Sequence, residues 1–155
     1  MSIIFVLVKF ILHIFEHPQF IINERMKEKI WLILKIVLAI FLIFGGVQHF
    51  INPDFYIPFV PSFLPFTLAI IYLSGLFEIL FGLALFFKKL ETIGAWGILI
   101  LMLLFLPIHI WDVFSKTPAI GSHNGALIRL PIQFLLIFIA WKVKNNVSQH
   151  KFTKS

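Results

Sequence analysis

The chain has 155 residues, 60% hydrophobic and only 13% charged, with a mean hydropathy of +1.00 and a formal net charge of +6. This balance excludes a soluble domain, because a core this small cannot hide twenty Phe side chains from water. The absence of cysteine also excludes structural disulfides, thiol redox chemistry and thiolate metal ligation.

The first segment, Ser2 to Phe15, is apolar but interrupted by Lys9. As a helix it reaches only about 21 Å, short of a hydrocarbon core. No small-residue cleavage site follows, since the run leads into Glu16, His17, Pro18 and Gln19. We expect a short N-terminal hydrophobic helix that does not span. Residues 1–25 then form either an interfacial segment or an upstream extension ahead of Met26, and in both cases they are expected to be dispensable.

Four longer apolar runs follow, Ile30 to Phe50, Pro65 to Phe87, Thr92 to Phe114 and Gly125 to Val143. Each covers roughly 28 to 35 Å as a helix, which matches a bilayer core. The expected fold is therefore an all-α, transmembrane, up-down four-helix bundle over residues 26–145, followed by a polar cytoplasmic tail, 146–155. The four-residue link Lys88 to Glu91 requires antiparallel neighbours.

The basic residues set the orientation. Arg25, Lys27, Lys29, Lys88, Lys89, Lys142, Lys144, Lys151 and Lys154 share one side of the predicted bundle, against Lys116 alone in the opposite loops. The positive-inside rule places the first side, with both ends of the four-span core and the Lys88 link, in the cytoplasm. The positive charge thus reports topology, and nucleic-acid binding is rejected. Trp31, Trp96 and Trp141 at the predicted inner ends, with Tyr56 and Trp111 at the outer ends, fit interfacial belts.

Between spans one and two, Pro53, Pro58 and Pro61 alternate with Phe55, Tyr56, Phe59 and Phe63. The prolines break any long helix and the aromatics hold the segment at the interface, so a folded-back cap or a plain greasy turn is expected. Gly45, Gly46, Gly75, Gly82, Gly94 and Gly97 mark close helix approach. Ser74, Gly75, Glu78 and Gly82 share a stripe that turns Glu78 into the bundle. Pro107 and Pro131 should free backbone carbonyls near the polar residues.

Each span carries ionisable side chains that lipid rejects: Lys35 and His49, then Glu78, then His109 and Asp112, then Arg129. Counting residues from the outer ends predicts an outer layer of His49, His109, Asp112 and Arg129, and a deep Glu78 level with Lys35. Gln133 and Ser74 lie between the layers. One reading is a ligand or proton-handling site with Arg129 as anion anchor, His49 and His109 as acid, base or ligand groups, Glu78 as deep carboxylate, and Gln133 beside them. The alternative is charge neutralisation, Lys35 with Glu78 and Arg129 with Asp112, with Lys35 also able to snorkel to the inner interface. No metal site is expected, because the two histidines sit on different helices without a compact ligand motif. No nucleotide loop, HExxH motif or nucleophile elbow occurs.

The motifs Gly45-Gly46-Val47-Gln48-His49-Phe50, Pro53, Leu64-Pro65, Ser74-Gly75, Glu78-Ile79, Gly82, Ala95-Trp96-Gly97, Pro107, Arg129-Leu130-Pro131 and Gln133 resemble the DoxX-like family of small bacterial membrane proteins. The resemblance covers about residues 30–143. It implies a four-helix inner-membrane protein, some of whose relatives are linked to quinone-coupled oxidation of sulfur compounds or to maturation of redox enzymes. Where that pattern has asparagine after the span-three proline, this chain has His109. The expectation is a protein, not a stand-alone enzyme, that binds a quinone-like or apolar small molecule or assists a membrane redox partner, alone or as a homo-oligomer. A small transporter with an intramembrane proton path and a purely structural membrane subunit are the alternatives.

Overall fold

A computed structural model describes residues 24–152. The expected N-terminal helix, Ser2 to Phe15, lies outside the described residues. The chain divides into two compact units, 1–32 and 33–155. Of the first, only helical residues from Glu24 onward are described.

Every described regular element is helical. Helix α1 is Glu24–Ile51, α2 is the single turn Pro53–Tyr56, a 3-10 turn covers Ile57–Phe59, and α3 is Thr67–Ala84, α4 Glu91–Phe114 and α5 His123–Phe152. The four long helices are long and apolar enough to cross a membrane, so this is a multi-pass membrane protein built as a helical bundle. Phe44, Leu104 and Phe134 are among many large apolar side chains more than half exposed. A soluble surface does not carry such a continuous apolar band, whereas lipid accepts it.

Element ends shift from the expected ones for local reasons. Helix α3 begins at Thr67 because Pro65 cannot continue a ladder and Phe66 turns the chain through a left-handed conformation, φ 61°. Its last turn ends at Ala84 in tighter bonds from Leu85 and Phe86 to Gly82 and Leu83. The link to α4 is accordingly longer than the predicted four residues. Helix α5 runs through to Phe152, so much of the expected polar tail continues the fourth helix.

Successive long helices run antiparallel, and glycines set how closely. A Cβ on Gly46 would lie 2.5 Å from the Gly75 carbonyl oxygen, and one on Gly75 would lie 2.6 Å from His49 Cβ. Nothing larger than hydrogen fits at this α1–α3 crossing. Further along the same pair, Gly82 faces Ala39 and Ile43, and Gly94 of α4 faces Phe81 and Ala84 of α3. Helix α4 packs against both α3 and α5.

The two halves of the bundle differ. Towards the α3–α4 link, Leu38, Ala39, Leu42, Leu85, Ala95, Ile98, Ala140 and Val143 form a dry core. Towards the Pro53–Phe66 segment the helices part, and polar side chains replace apolar ones around a hollow.

Candidate functional site

The hollow is a cavity of about 420 Å³, within the size range of small-molecule sites. All four long helices contribute walls: Leu42 and Gly45 from α1, Ile71 and Ser74 from α3, Met102 and Phe105 from α4, Ile132 and Leu136 from α5. His49, Glu78, His109, Arg129 and Gln133, the five site residues expected from the sequence, all line it.

One polar group is built on α4 and α5. Arg129 Nη1 donates to Asp112 Oδ2 at 3.2 Å, and Asp112 is 2% exposed. The other Asp112 oxygen accepts from the Ala119 backbone N–H, which ties the loop after α4 to the same carboxylate. His109 Nδ1 lies 2.9 Å from the Phe105 carbonyl, an acceptor, so Nδ1 bears the proton. In the neutral ring Nε2 is then an acceptor, and Arg129 Nη2 donates to it at 3.4 Å. The guanidinium carbon lies 4.2 Å from the centre of the Phe59 ring, a cation–π contact.

A second group joins α1 and α3. His49 Nδ1 stands 3.0 Å from the Ile71 carbonyl and 3.1 Å from Ser74 Oγ, which itself donates to Ile71. A lone pair cannot face a carbonyl at that distance, so Nδ1 carries a proton here too. His49 Nε2 is 3.8 Å from Glu78 Oε1. Among the described residues Glu78 accepts no hydrogen bond, although it is 7% exposed and lines the cavity.

The Pro-rich segment closes the end of the hollow. Tyr56 stacks on His49 with ring centroids 3.7 Å apart, and Phe59 covers Arg129. Burial pushes the Tyr56 phenol up from its ordinary pKa, Glu78 adds to that and Arg129 opposes it. The phenol is therefore felt by both polar groups and keeps its proton. Of the two arrangements expected for this segment, a folded-back cap and a plain greasy turn, the cap is the one found, while the individual contacts of Tyr56 and Phe59 were not expected. The prolines break the segment into short turns without fixing the direction in which it folds.

Three expectations are corrected. Lys35 does not pair with Glu78; its Nζ lies 3.0 Å from Glu91 Oε2, at the start of α4. A carboxylate there also meets the positive end of the helix dipole. Glu78 is not in a layer apart from His49, because the glycine crossing brings the Gly45–His49 turn against the Ser74–Glu78 turn. The bridging pair also separates: Ser74 belongs to the His49 group, while Gln133 donates to the Met102 carbonyl at 2.6 Å. That carbonyl is not the one freed by Pro107, which faces back to Leu103.

The expected Arg129–Asp112 neutralisation is present, alongside cavity exposure of Arg129 rather than instead of it. Among the described residues no three of His, Asp and Glu converge as metal ligands do.

No curated protein and no solved structure matches the chain. A family model described as a domain of unknown function (DUF8561) matches residues 38–144, more than half of the chain and every residue of the cavity wall, and the chain belongs to that family.

Proposed function

We propose that this protein holds a small, largely apolar molecule, quinone-like in its chemistry, inside the four-helix bundle, or assists a membrane redox enzyme, alone or as a homo-oligomer, rather than acting as an enzyme by itself. One observation carries the reading. Glu78 is buried in a span, faces the cavity and has no hydrogen-bond partner among the described residues. A carboxyl group left this way is costly unless something else satisfies it. The apolar walls suit a ring or chain, and the Arg129 and Glu78 groups supply the few directional contacts that orient a head.

We further propose a DoxX-like protein of the bacterial cytoplasmic membrane, with both core ends cytoplasmic. In support, His49, Ser74, Glu78, Arg129 and Gln133, the polar residues of the Gly-x-x-His-Phe, Ser-Gly-x-x-Glu and Arg-Leu-Pro-x-Gln segments, all line one cavity.

The test is native mass spectrometry of the protein released from mild detergent, followed by lipid extraction. A co-purifying apolar molecule is expected with the natural protein. It should be lost from Glu78→Gln and Arg129→Gln proteins that still melt cooperatively. Full retention by both variants would overturn the assignment of the cavity as the binding site.

A further inference from the structure

We propose that the cavity selects an uncharged, hydrogen-bonding head group, and that the apolar tail of its ligand leaves between α1 and α5 into the bilayer. This rests on the reading of the cavity as a ligand site, and it names the class of molecule that site admits.

The charge argument counts the ionisable groups around the hollow. Arg129 is matched by Asp112 at 3.2 Å. His109 is neutral, since one ring nitrogen donates to Phe105 and the other accepts from Arg129. His49 and Glu78 lie 3.8 Å apart, and an isolated charge in low-dielectric surroundings costs several kcal/mol. The pair therefore shares one proton beyond the Nδ1 hydrogen, either as imidazole with carboxylic acid or as imidazolium with carboxylate. Both arrangements sum to zero, and so does the whole site.

A charged head would find its counter-charge already taken. An alkyl carboxylate approaching Arg129 also meets Asp112, and an ammonium approaching Glu78 also meets His49. Either ion would give up its hydration without compensation. A neutral head loses far less and gains more. Arg129 has N–H groups beyond those used for Asp112 and His109, and Glu78 has its carboxyl oxygens free of protein donors among the described residues.

The tail direction follows from exposure. Of the residues lining the cavity, Phe41 on α1 and Ile132 on α5 are 50% and 46% exposed, while every other wall residue is buried or half-buried. Both belong to membrane-crossing helices, so the surface they expose faces hydrocarbon. Helices α1 and α5 contribute Leu38, Ala140 and Val143 to the dry core at the other end of the bundle. The mouth is therefore a slot in the lipid-facing wall and not an aqueous pore.

The experiment places the full chain in phosphatidylcholine nanodiscs and offers decanamide, decanoate, decylamine and hexadecanamide, at a pH where the acid and amine are both ionised. Native mass spectrometry of the released protein reads the bound fraction. Decanamide should be retained at least about tenfold more tightly than either ion, and hexadecanamide no less tightly than decanamide, because its extra length lies in lipid. Asp112→Asn, whose side-chain oxygen still accepts from Ala119, leaves Arg129 unmatched and should shift the preference towards decanoate by about tenfold.

Decanoate or decylamine retained by the natural protein as well as the amide would overturn the neutral-head assignment while leaving the cavity as a binding site. Rejection of the longer amide would overturn the lateral mouth. Failure to retain any probe would remove the cavity reading itself, and this inference with it. If Asp112→Asn does not fold, the four probes on the natural protein decide the matter.

Discussion

Asp112 shows how one side chain organises the site from outside it. It does not line the cavity, yet it fixes Arg129 through one oxygen and the Ala119 backbone through the other. Replacing it by alanine strands a guanidinium and a backbone donor at once. Asp112→Ala should therefore lower stability by about 3 to 5 kcal/mol, the range for breaking one side of a buried pair. Adding Arg129→Met should return much of that loss, since both halves of the pair are then gone. Unfolding in mixed detergent micelles, measured for the two single variants and the double, gives the coupling. Additive losses would mean that the Asp112–Arg129 contact does not carry the energy assigned to it. Lys35 plays no part in this network, being paired with Glu91.

At the scale of the helices, the site depends on how closely α1 and α3 cross. Lipid tails are as apolar as leucine, so burying apolar surface drives helix association weakly, and close packing takes its place. Gly46→Ala puts a methyl group 2.5 Å from a backbone oxygen that cannot swing away. It should cost about 1 to 3 kcal/mol and move His49 off Glu78. Gly45→Ala is the informative contrast, because its methyl meets only Glu78 Oε2, at 3.0 Å, the far end of a flexible side chain. That variant should melt near the natural temperature yet retain less of the bound molecule. Equal melting temperatures for the two variants would show that the crossing is looser than the glycines imply.

At the scale of the whole molecule, the bundle is dry at one end and hollow at the other, and the polar groups occupy the hollow half. The orientation we propose puts the dry end on the cytoplasmic side, where nine basic residues gather against Lys116 alone in the opposite loops. A fluorescent reporter fused after Ser155 should therefore be active in the cytoplasm, and alkaline phosphatase at the same point should be silent. Active phosphatase would invert the bundle and place the cavity end inside.

Run length and composition alone determined four membrane-crossing helices, because a bilayer accepts only closed hydrogen-bond ladders about as long as it is thick. The same reasoning singled out His49, Glu78, His109, Arg129 and Gln133, since an ionisable or amide group in a span needs an interior to face. Of the pairings, Arg129 with Asp112 was legible as one of two readings, whereas the neighbours of Glu78 and Lys35 were not. Counting residues from span ends treats helices as upright and level, whereas glycine contacts at the α1–α3 crossing set the actual register and place Glu78 beside His49. Tyr56 and Phe59 read as interfacial aromatics, because nothing in a proline-broken segment says which way it folds. Only the tertiary structure laid them over His49 and Arg129, where packing across four helices leaves a gap that no single helix encodes.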